Sequence, residues 1–109
     1  MEQTDYSVVL ITSRREEAEG IAHALLEEKK AACVNIIPEI SSLFWWEGKL
    51  ETQSESLLVV KTRTASLPDV IELVKSVHSY EVPEIIALPI TGGNRAYLDW
   101  ISQMGETGV

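Results

Sequence analysis

The chain has 109 residues, 45% of them hydrophobic and 24% charged, with 17 acidic against 9 basic side chains and a net charge of −8. A domain of this length buries roughly 65% of the surface its unfolded form exposes, enough for a core without staples, so residues 1–109 are expected to form one domain. The acidic balance excludes a surface that neutralises a run of phosphates, and with it nucleic acid or an acidic membrane as partner. Residues 7–12, Ser-Val-Val-Leu-Ile-Thr, are β-branched and apolar on both faces, which predicts a strand covered on both sides. Ser13-x-x-Glu16 then has the pattern of a capping box, with Glu16 and Glu17 at the positive end of a helix and Lys29 and Lys30 at its negative end. Ala18, Ile21, Ala22, Leu25 and Leu26 form its apolar stripe, and His23 falls off that stripe as a solvated histidine.

From Ala32 the pattern turns to β. Residues 32–46 and 50–62 are two long runs broken at Glu47-Gly48-Lys49, a hairpin signal. Fifteen extended residues reach about 50 Å, whereas a domain of about 100 residues is only about 35 Å across. The tip is therefore expected to overhang its own domain, carrying Leu43, Phe44, Trp45 and Trp46. Large apolar side chains left wet in this way mark an interaction surface and predict an oligomer. The competing expectation is that Pro38 breaks the strand and folds the aromatics back over the core.

Ser66-Leu67-Pro68-Asp69 predicts a second helix, with Ser66 as its cap and Leu67, Val70, Ile71, Val74 and Val77 on its buried face. Residues 85–90 read as a last strand. Gly92-Gly93 turns the chain, and Asn94 caps a final helix with Tyr97, Leu98, Ile101 and Met104 on one side and Gly105 as its stop; residues 106–109 read as a frayed tail. The order β-α-β-β-α-β plus a terminal helix is that of an α+β, ferredoxin-like split βαβ. Strands one and three then lie in the centre and two and four at the edges, where Pro38 and Pro89 are tolerated.

The densest polar chemistry is His78-Ser79-Tyr80-Glu81-Val82-Pro83-Glu84, a loop that Pro83 holds to one path. Three readings compete for it. A metal site would recruit His78, Glu81, Glu84 and Cys33, without a Cys-x-x-Cys or a second histidine near His78. An acid/base enzyme would pair His78 with Glu81 or Glu84. A binding pocket at a subunit junction would use Lys61, Tyr80, Glu84, Trp45 and Trp46 and needs no catalysis. Gly92-Gly93 beside Asn94 lacks the frame of a phosphate loop. One cysteine excludes an internal disulfide, the acidic start is unlike a signal peptide, and no apolar run approaches about 18 residues, so a cytoplasmic location is the expectation.

Ala31-Ala32-Cys33-Val34-Asn35-Ile36-Ile37-Pro38, Trp45-Trp46-Glu47-Gly48-Lys49, Lys61-Thr62, His78-Ser79-Tyr80-Glu81-Val82-Pro83-Glu84-Ile85 and Tyr97-Leu98-Asp99-Trp100-Ile101 together resemble the CutA divalent-cation tolerance family. The resemblance implies a ferredoxin-like subunit in a homotrimer, linked to tolerance of copper and other divalent cations, with no established enzymatic activity and no required cofactor. Copper-binding bacterial members use a cysteine and two adjacent histidines where this chain has Ile11, Val77 and His78, so only His78 is carried over as a metal contact. Weak copper binding, diminished by His78→Ala, is the expectation. A non-enzymatic ligand-binding or scaffold module is the leading reading. A junction-site enzyme, or a signalling module like the trimeric nitrogen-regulatory proteins, is the alternative.

Overall fold

A computed structural model describes residues 4–105 of the chain. Four strands form one antiparallel sheet: β1 (Tyr6–Ser13), β2 (Cys33–Trp46), β3 (Lys49–Arg63) and β4 (Ile85–Pro89). Their order is β2-β3-β1-β4, so β1 and β3 are central and both prolines fall in edge strands, as the missing N–H donor requires. Helices α1 (Arg15–Glu27) and α2 (Leu67–Val77, after a short 3-10 turn at Thr64–Ser66) bring Ala18, Ile21, Leu25, Val70 and Val74 onto Val9, Ile11, Leu58 and Val60 to make the core. Helix α3 (Arg95–Met104) serves the opposite face of the sheet, where the Tyr6 hydroxyl lies 2.7 Å from Ser102 Oγ. The frayed tail expected at 106–109 lies outside the described residues.

The hairpin runs out as expected. Trp46 pairs with Lys49 across a two-residue turn in which Glu47 (φ 50°) and Gly48 (φ 79°) both have positive φ, the conformation whose twist matches the strands. Pro38 does not fold the aromatics back. Pro38 and Glu39 together oppose the single residue Ser56, whose hydroxyl donates to the Pro38 carbonyl at 2.7 Å. This bulge absorbs the proline, and pairing resumes at Ile40 with Glu55. The molecule measures 44 × 31 × 22 Å, drawn out along the hairpin.

Several helix-end expectations are corrected. Ser13 is the buried last residue of β1, and its hydroxyl donates to the carbonyl of Arg14 instead of capping α1. Ser66 likewise makes no side-chain cap for α2. In α2, Ile71 and Val77 are exposed, while Leu73 packs against the core and His78 takes the buried place beyond the last turn. Asn94 does cap α3, accepting from the Ala96 N–H at 3.0 Å.

Lys29 and Lys30 lie beyond α1 rather than in its last turn. Lys29 N–H bonds to Leu26 O and Lys30 N–H to Leu25 O, the paired bonds of a Schellman stop, with Lys29 left-handed at φ 58° where glycine is usual. Because a side chain in that conformation is strained by about 1 kcal/mol or more, Lys29→Gly is expected to raise stability by roughly 0.5–1 kcal/mol. A shift of the urea midpoint to higher concentration at unchanged slope checks this.

Candidate functional site

The end of α2 turns its chemistry inward. His78 is buried, and its Nε2 lies 2.8 Å from the carbonyl of Thr12 at the end of β1, while its Nδ1 accepts from the Tyr80 N–H at 3.1 Å. These partners are met by one tautomer, with hydrogen on Nε2 and a lone pair on Nδ1. The ring packs against Tyr80 at a centroid separation of 4.7 Å. Glu17 of α1 reaches the same loop, accepting from the Ser79 N–H at 3.2 Å. Burial pushes the Glu17 carboxyl up, but the hydrogen bonds from Ser79 and the nearby Arg14 outweigh it and leave it below the ordinary carboxylate value.

Tyr80 carries this network across to the hairpin. Its hydroxyl donates to Glu55 Oε2 at 2.7 Å and accepts from Gln53 Nε2 at 3.3 Å, and the Arg14 guanidinium stands 6.0 Å from its ring centre. Glu55 is a buried carboxylate placed immediately past the β2 bulge. Burial, then the hydrogen bond and charge of Glu55, push the Tyr80 phenol up to about 12. Tyr80 is thus a fixed donor at neutral pH.

A folded value above the unfolded 10.0 contributes stability that is whole below pH 10 and lost as pH rises through 12. Ultraviolet titration is expected to place Tyr80 ionisation near pH 12 and to bring it back toward 10.0 in Glu55→Gln.

The other residues singled out from the sequence lie apart within the chain. Lys61 sits on β3 beside Asn35, to whose Oδ1 it donates, with Cys33 Sγ at 4.0 Å. Six residues of strand separate it from Glu55, about 20 Å. Glu84 is exposed before β4. Trp45 and Trp46 are exposed at the hairpin tip, about 13 Å beyond Gln53 by strand length. The structure therefore joins Tyr80 to Glu55, Gln53, Glu17 and Arg14, none of which the sequence had marked for the site.

The geometry of His78 bears directly on the metal contact expected of it. Both ring nitrogens are engaged by backbone, so neither lone pair is free for a cation. Ile11 is wholly buried in the core and Val77 is apolar, and among the described residues no three His, Cys, Asp or Glu side chains converge. A divalent ion does not fit this donor set within the chain.

The family model described as "CutA1 divalent ion tolerance protein" matches residues 7–104. The chain belongs to the CutA1 divalent ion tolerance family. The CutA divalent-cation tolerance protein of Thermus thermophilus is 54% identical over 97 residues, which is 88% of this chain and 94% of that protein. The chloroplastic CutA 1 of Oryza sativa is 52% identical over 95 residues, 86% of this chain, but the chain spans only 54% of that relative's length. The crystal structure of CutA1 from Oryza sativa superposes with a TM-score of 0.93 and 45% identity, covering 97% of this chain and 98% of that one. The CutA1 relationship thus takes in every element from β1 to α3.

Proposed function

We propose that this chain acts in divalent-cation tolerance as a ferredoxin-like homotrimer, a non-enzymatic ligand-binding or scaffold module whose pockets form where subunits meet. The observation that carries the reading is the hairpin tip, where Leu43, Trp45, Trp46 and Leu50 are each more than three-fifths exposed. A row of large apolar side chains on a rigid hairpin calls for a partner, and a second copy of the chain supplies one at no cost in new components. In such an assembly the tip tryptophans, Lys61 and Glu84 of different subunits come together around the Tyr80–Glu55 pair, which offers oriented polar groups in a half-buried setting. Binding of copper or another divalent cation is weak in this reading, because His78 is committed to backbone. A cytoplasmic place is part of the proposal and rests on the unpaired Cys33; the rice relative is, by its name, chloroplastic.

Sedimentation velocity at micromolar concentration tests the assembly. The expected species has three times the 12.1 kDa mass of the chain, and a stable monomer overturns the proposal. Calorimetric titration with copper and zinc tests the site, with no saturable heat in the nanomolar range expected.

A further inference from the structure

Arg63 ends β3 with its side chain on the α3 side of the sheet, opposite Tyr6. Its Nε is the one buried side-chain nitrogen or oxygen among the described residues that has no hydrogen-bond partner. An arginine cannot relieve this by losing its proton, and a buried donor left unpaired is unfavourable enough that such groups mark a missing partner. The last turn of α3 explains why a cation stands here, since the negative end of a helix favours one. No carbonyl of that turn accepts from Nε, however.

Arg63 borders an open cleft of about 340 Å³ between the start of β1, the turn after β3 and the end of α3, lined also by Thr4, Asp5, Thr64 and Ser102. A Cβ at Gly105 would lie 3.1 Å from Arg63 Nε, so glycine is what lets the end of α3 pass this close to the guanidinium, whose Nε is buried while the side chain borders the cleft. Four hydroxyl side chains line the space, Thr4, Tyr6, Thr64 and Ser102, each already hydrogen-bonded within the chain, so recognition of a small oxygen-rich anion falls chiefly on the planar cation. Asp5 on the wall, the helix end and the net charge of −8 disfavour a second negative charge.

We propose that this cleft binds a small monocarboxylate, received in the plane of the Arg63 guanidinium and bordered by the hydroxyls of Thr4, Thr64 and Ser102. The site lies at the opposite end of β3 from the hairpin tip and does not depend on the trimer. Acetate titrated into the 15N-labelled full chain tests it, read at the Arg63 side-chain N–H resonance, with phosphate and chloride at matched ionic strength as comparisons. A saturable shift in the millimolar range is expected, at least fivefold weaker for phosphate. Backbone shifts at Thr64 and Ser102 should weaken at least tenfold in Arg63→Gln and at least fivefold in Gly105→Ala, with the spectrum of a folded chain retained in both. Equal response to chloride, phosphate binding as tight as acetate, or unchanged binding in either variant overturns the proposal. So does an Arg63→Gln variant that loses assembly size while acetate shifts nothing in the wild type, because the guanidinium then pairs with another copy of the chain.

Discussion

His78→Ala is expected to lower stability by about 3–5 kcal/mol and to leave copper and zinc titrations unchanged. The imidazole bridges two segments far apart in sequence, the end of β1 through Thr12 O and the loop after α2 through the Tyr80 N–H. Alanine leaves both backbone groups without their partner, at about 1–3 kcal/mol each. It also leaves a cavity where the ring packed against Tyr80. Total stability of a domain this size is about 5–15 kcal/mol, so the variant approaches unfolding. His78→Gln, whose amide can still donate toward Thr12, is expected to lose about half as much and keeps the test readable. Urea midpoints at one fixed protein concentration measure both, since assembly contributes to apparent stability. A metal-contact role predicts the reverse pattern, a modest change in stability with loss of copper heat, and that outcome would remove the structural reading.

What the sequence could and could not disclose here follows from the range of each signal. The hairpin was legible because its determinants are local: β-branched and aromatic runs, a glycine turn, and prolines confined to edge strands. Asn94 was legible for the same reason, whereas the Ser13 pattern misled because a capping motif competes with the last rung of β1, which buried Ser13 instead. The polar loop at residues 78–84 was singled out from the sequence, and the structure engages His78, Ser79 and Tyr80 of it in hydrogen bonds. Its partners were not, because Thr12 O is 66 residues from His78 and Glu55 is 25 from Tyr80. No periodicity reports which backbone carbonyl a buried imidazole will meet. Glu55 left one trace, a carboxylate just past the proline-bearing bulge, where strands re-aim side chains. Without that pairing it reads as one more solvated charge on a polar stretch of strand.

Trp45→Ser combined with Leu50→Ser is expected to weaken assembly at least a thousandfold while leaving the subunit folded. The two residues face one another across the hairpin, 71% and 68% exposed. Neither supports the core, and surface changes of this kind move subunit stability by about 0.5 kcal/mol or less. In an interface the balance is different. A tryptophan can bury about 150–250 Å², worth roughly 4–6 kcal/mol at about 25 cal/mol per Å², and a leucine adds about 2 kcal/mol. Imperfect desolvation and side-chain ordering consume part of that. A net loss of about 4 kcal/mol per contact corresponds to about a thousandfold in dissociation constant. Sedimentation of the double variant at the concentration where wild type is assembled should give the single chain, with its far-ultraviolet spectrum unchanged. Wild-type sedimentation would show that the tip is not the joint. The same variant also tests where the pockets lie. If tips cover the Tyr80–Glu55 pair of neighbours, dissociation rehydrates the phenol, and Tyr80 should ionise at lower pH in the variant than in the wild type. If Tyr80 titrates alike in both, the burial that raises it is supplied wholly by its own chain, and the pocket does not include the tip.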